Sequence, residues 1–99
     1  MSDVSTAVAY NELATAIIQK QASILGMNVA LKRARNVAGL DIDDTGHVSA
    51  LSGDPNQVIA DLVDQYKSLS GSVGVEFCKQ AAKAWLNSHA NMQLPPAVL

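Results

Sequence analysis

Aromatic bulk is scarce in this chain, with one Trp, one Phe and two Tyr among 99 residues. Its interior has to be filled mainly by Ala, Val, Ile and Leu, which favours close backbone approach over large knobs. Charge is also thin, at 16% of residues against a usual level of about 25%. Much of the surface must then be small or apolar, which suits a protein that covers part of itself with a partner. The single cysteine, Cys78, excludes an intramolecular disulfide and fits a reducing compartment. No apolar run approaches the roughly 20 residues needed to span a bilayer, and Met-Ser-Asp-Val-Ser lacks the basic and apolar stretches of a secretory signal. We therefore expect a cytoplasmic protein with no membrane partner. The formal net charge of −2 is not the footprint of a general nucleic-acid binder.

What is present is helical periodicity. Residues 3 to about 38 read as one long helix. Tyr10, Ile17, Ile24, Leu31 and Ala38 recur every seven residues, and Leu13, Met27 and Ala34 fill positions three further on. Small residues Ala9, Ala16, Ser23 and Ala30 line the adjacent row, and Lys20 is the polar intruder in the seam. Asp3 or Ser5 is placed to cap the start. Lys32, Arg33 and Arg35 complement the carbonyl end, and Gly39 is a stop. Gly26 marks the point where a kink or break is expected, because glycine inside a helix costs ~1 kcal/mol against Ala.

Residues 40–51 change character. Leu40 and Ile42, then Val48 and Ala50, alternate with polar residues around Asp44-Thr45-Gly46, which predicts a short β-hairpin or turn. Asp54 with Pro55 opens a second helix over 54–70, with Gln57 at the capping-box position. Its buried stripe is Val58, Ile59, Leu62, Val63, Tyr66 and Leu69. Ser70-Gly71-Ser72 breaks the pattern, and a third helix runs from about 72 to 89. Its inner face is Val73, Phe77, Cys78, Ala81, Trp85 and His89, with Trp85 the main core anchor. The tail 91–99 contains Pro95-Pro96 and reads as extended and loosely held. The expected fold is a mainly α single domain over 1–99: a long N-terminal helix, a hairpin, then two antiparallel helices. The seam points to a helical bundle completed by dimerisation, with Tyr10, Leu13, Ile17, Ile24, Met27 and Leu31 as the homodimer interface.

The segment from Asp41 resembles the calcium loop of the EF-hand over about a dozen residues. The resemblance makes Asp41, Asp43 and Thr45 ligands, Gly46 the sharp turn and His47 a carbonyl donor. It departs at Ser52, where the family has a bidentate Glu, and no second such loop is present. A solvated turn whose carboxylates screen Lys32, Arg33 and Arg35 accounts for the same residues. The overall layout is similar to the small helical-hairpin proteins of the WXG type. However, Leu51-Ser52-Gly53 stands where Trp-x-Gly is required, so membership is not assigned.

Catalytic signals are thin. Cys78 reads as a buried, inert thiol. Cys78, His47 and His89 lack metal-ligand spacing, and no phosphate loop, nucleophile elbow or carboxylate pair stands out. The chain is therefore expected to be a non-enzymatic interaction, regulatory or assembly subunit without cofactor. It would act as a homodimer and bind another protein. One alternative is a calcium- or metal-responsive regulator using 41–52. Another is a small DNA-binding regulator reading DNA with the last helix, where Lys79, Gln80, Lys83 and Asn87 face outward.

Overall fold

The computed structural model describes residues 2–89 and 92–99, with side chains from residue 8 onward. The predicted N-terminal helix is two helices, α1 (Ser2–Leu25) and α2 (Met27–Ala34). Gly26 separates them at φ 89° and ψ 151°, a conformation essentially reserved for glycine. Gly26 itself stays bonded to both helices. The Gly26 N–H donates to the Ala22 carbonyl (2.9 Å), and the Gly26 carbonyl accepts from Ala30 N–H (3.1 Å). Gly26 thus closes α1 with its N–H and opens α2 with its carbonyl, and no side chain caps the first turn of α2. The helical pattern ends at Ala34 rather than 38, and residues 35–39 form turns. An uninterrupted helix over 3–38 would be about 54 Å long. The longest dimension of the molecule is 36 Å, close to the length of α1 alone at about 1.5 Å per residue. The capping roles expected of Asp3 and Ser5 lie outside the described side chains.

The hairpin is present as β1 (Leu40–Ile42) and β2 (Val48–Leu51), antiparallel, with Leu40 opposite Leu51 and a register irregularity between Asp41 and Ile42. An isolated pair of strands is marginal in water. Here one edge is satisfied by a polar stripe on α1 at residues 11, 15 and 19. Val48 N–H donates to Thr15 Oγ1 (2.9 Å), Thr15 Oγ1 donates to the Asn11 carbonyl (2.8 Å), and Gln19 Nε2 donates to the Thr45 carbonyl (2.6 Å). Gly46 is buried beneath this contact. A Cβ there would lie 2.9 Å from Gln19 Nε2 and 3.3 Å from both Ile18 and Met27.

Helix α3 (Pro55–Ser70) starts as the sequence predicts. Asp54 caps it by accepting a hydrogen bond from Asn56 N–H at 3.1 Å, and Pro55 stands at the first position. Gln57 does not close the capping box. Its amide donates to Asp61 at 2.9 Å, one turn ahead on the same helix. Gly71 at φ 66° joins α3 to α4 (Ser72–Asn87). Helices α1 and α4 run antiparallel, since Trp85 Nε1 donates to the Ala9 carbonyl (2.9 Å) and Gln21 Nε2 to the Gly74 carbonyl (3.0 Å).

The core lies where all four helices and the hairpin meet. It contains Leu13, Ile17 and Ile18 of α1, Leu31 of α2, Ile59, Leu62 and Tyr66 of α3, and Cys78 and Trp85 of α4. Tyr66 is fully buried with its hydroxyl donating to the Ala30 carbonyl (2.8 Å), which ties α3 to α2. The tail differs from the expectation of a loose extension. Pro96–Val98 form a 3₁₀ turn, and Pro95 and Val98 are buried. Apolar burial of Val98 offsets the entropy of ordering the chain end. No helix among the described residues is long and apolar enough to cross a membrane.

Candidate functional site

The six seam residues do not share one environment. Leu13, Ile17 and Leu31 are buried within the chain itself, against α3 and α4, and need no second copy to exclude water. Tyr10 and Met27 are half-buried, packed on that core. Ile24 is 45% exposed. The seam is therefore mostly the inside of this bundle, because the break at Gly26 lets a single chain fold back over it. Lys20 lies at the rim with its ammonium 5.7 Å from the Phe77 ring centroid, a cation–π contact that leaves the charge in water.

Two inner-face expectations also shift. Leu69 of α3 is 38% exposed and Val73 of α4 is 56% exposed. Both sit beside the α3–α4 junction, where the helices end before they can cover each other. Gln21 bonds Gly74 and approaches Cys78 Sγ at 3.4 Å. Ile24, one turn beyond Gln21, is thus at the level of Val73. Val29, 40% exposed on α2, lines a cleft together with Leu69. Val29 and Leu69 therefore share a cleft, and Ile24 and Val73 stand beside the α1–α2 and α3–α4 junctions at the same end of the bundle. Val8, also exposed on α1, is about 24 Å along that helix from Ile24. No single helical period reveals this gathering, because each residue belongs to a different element.

The cleft beside that end has a volume of about 440 Å³ and is lined by Val29, Lys32, Arg33, Asn36 and Leu69. Lys32 and Arg33 occupy the last turn of α2, where cations complement the free carbonyls. Of the basic cluster, Arg35 is paired with Asp44 at 2.9 Å, as the screening reading of the acidic turn expects. Neither Lys32 nor Arg33 meets a carboxylate among the described residues.

The calcium-loop residues form a hairpin turn with a different use for their carboxylates. One oxygen of Asp43 accepts from Thr45 N–H (2.9 Å), Thr45 Oγ1 (2.6 Å) and His47 N–H (3.1 Å). These bonds, led by the one from the Thr45 hydroxyl, hold the Asp43 carboxyl below its usual range. Among the described residues no three His, Cys, Asp or Glu side chains gather as a metal site.

Cys78 is buried as expected, and burial pushes its thiol up to about 11, with the hydrogen bond from Gln21 opposing the rise. Tyr66 is raised further by its own burial. His89 lies about 16 Å from Cys78 along α4. Its ring stacks on Trp85 at 4.8 Å, with Nδ1 on the Trp85 carbonyl (2.8 Å) and Nε2 on Glu12 (2.9 Å). His47 is exposed on the hairpin, away from both. Lys83, Gln80 and Asn87 face outward on α4 and Lys79 is half-buried. Trp85 is the anchor the sequence predicts, buried among α1 and α4 residues, so it is not available to a partner groove. Comparison with known proteins finds no matching family model, no matching curated protein and no matching solved structure.

Proposed function

We propose that the protein is a small non-enzymatic interaction subunit whose contact face is the end of the bundle formed by Ile24, Val29, Leu69 and Val73. The observation that supports this reading is the gathering of these four side chains, at 45%, 40%, 38% and 56% exposure, from four different helices. Isolated exposed apolar residues are ordinary, whereas several at the same end of a bundle are what a contact surface requires. The face is separate from the core that holds the fold, so a partner can cover it without remodelling the chain.

Magnitude sets a limit on what the face does alone. Full burial of such side chains is worth about 1.5–3 kcal/mol each, so covering the exposed half of four of them contributes about 3–6 kcal/mol. Micromolar affinity corresponds to about 8 kcal/mol after the costs of association. The apolar face therefore acts with neighbouring polar contacts rather than alone.

The homodimer expected from the seam loses its main driving force, because Leu13, Ile17 and Leu31 are already covered by their own chain. A different protein is the partner we favour. The test compares the host proteins retained by the immobilised chain with those retained by a Leu69→Asp/Val73→Asp variant of matched circular dichroism. A protein held by the first and lost by the second is the expected result. Identical sets on both would remove the reading. In parallel, sedimentation at micromolar concentration is expected to give a monomer near 10.4 kDa. A dimer that the double substitution dissolves would assign the face to a second copy instead.

A further inference from the structure

Resting on that reading, we propose that the cleft between α2 and the end of α3 takes an acidic amphipathic segment of another protein. One large apolar side chain of the segment sits between Val29 and Leu69, and its carboxylates meet Lys32 and Arg33. The cleft has the form of a surface groove, about 440 Å³, within the size range of sites that seat a small ligand or one or two side chains. Its apolar walls come from two helices, so an inserted side chain is gripped from both sides. Its cationic side is a local excess on a chain whose formal net charge is −2.

The use made of the other nearby polar groups sharpens the choice of partner. Arg35 is held by Asp44. Lys20 lies over Phe77. Asn36 donates to Gln65 at 3.3 Å and so ties the turn after α2 to α3 beside the cleft. Lys32 and Arg33 remain facing solvent without a carboxylate among the described residues, on the rim of the apolar walls. Arg33 brings a planar fork that binds a carboxylate bidentately, and Lys32 a point charge that tolerates several placements. An apolar anchor flanked by acids satisfies both features, in the manner of a helix or peptide docked in a groove. A second copy docked face to face through the same end would set its own Lys32 and Arg33 against these, which like-charge repulsion opposes.

The test is selection of a random peptide library against the full chain, with an Arg33→Glu variant as the counter-target. Enriched peptides are expected to combine a large apolar residue with Asp or Glu. A synthesised winner is expected to bind at least about tenfold more weakly to Arg33→Glu and to Leu69→Asp, to lose affinity as salt rises, and to bind Arg33→Lys with an affinity between those of the parent and Arg33→Glu. Urea unfolding of each variant checks that the fold is intact. Peptides that enrich without acidic residues, or that bind both variants as well as the parent, overturn the acidic occupant while leaving the interaction-subunit reading in place. A library that yields no binder overturns the occupant too. The comparison of retained host proteins then decides whether the interaction-subunit reading falls with it.

Discussion

Gly26 and Gly74 both interrupt helical sequence, and they do so for different physical reasons. A Cβ at Gly74 would lie 2.5 Å from the Tyr66 carbonyl, so α3 and α4 approach through the missing side chain. A Cβ at Gly26 would meet nothing within 4 Å, and there the requirement is the positive φ. Gly74→Ala is expected to cost about 1–3 kcal/mol by forcing the helices apart, and Gly26→Ala about 1–3 kcal/mol through backbone strain. Urea unfolding measures both, and the structure is contradicted if Gly74→Ala stabilises. Cys78 illustrates burial as chemistry. Its thiol, at about 11 against an ordinary 9.0, is expected to resist alkylation at neutral pH until urea exposes it. Above pH 9 the unfolded chain loses protons that the folded Cys78 and Tyr66 still hold. The unfolded state then binds fewer protons, so the stability these two groups contribute is full at neutral pH and falls as pH rises past 9. Asp43 has the opposite sign. Its lowered carboxyl favours the folded state above the usual carboxylate range, and that contribution is lost as pH falls.

Elements whose ends are written in local chemistry were legible in the sequence. Asp54-Pro55 starts α3, Gly71 separates α3 from α4, and Asp44-Thr45-Gly46 turns the hairpin. Replacing Asp54 by Ala is expected to cost about 1 kcal/mol and replacing it by Asn much less, a difference read in thermal unfolding. Elements held by distant partners were harder to read. The stripe Asn11, Thr15 and Gln19 looks like an ordinary solvated helix face, yet it satisfies the backbone of the hairpin some thirty residues away. Thr15→Val keeps the side-chain shape but leaves the Val48 N–H without an acceptor. A loss of about 1–3 kcal/mol is expected, together with faster amide exchange at Val48. The place of the tail is hidden for the same reason. Pro95-Pro96 forbids helix, but nothing local announces that Val98 finds a buried place.

At the scale of the whole molecule, the decisive event is the turn at Gly26. A heptad seam reads identically whether a second copy or the same chain covers it, since periodicity reports which side is apolar and not what lies on it. Here the chain turns back, and the seam becomes its own core. Four of the exposed large apolar side chains, Ile24, Val29, Leu69 and Val73, then stand near the end where four helix termini meet, a place that only the assembled topology defines. Because Leu69 and Val73 are each about half covered by their own chain, the Leu69→Asp/Val73→Asp chain is expected to lose about 1–3 kcal/mol of stability and to stay folded. Leu62→Ala in the core is expected to cost about 2–5 kcal/mol. The most direct test places a photo-crosslinking amino acid in the chain within its native cells. It is introduced at Val73 or Leu69 in one set and at Val8, on the far part of α1, in another. A discrete adduct at Val73 and Leu69 with none at Val8 is the predicted result. Bare chain at all three positions, or the same adducts at Val8, would contradict an interaction face at this end of the bundle.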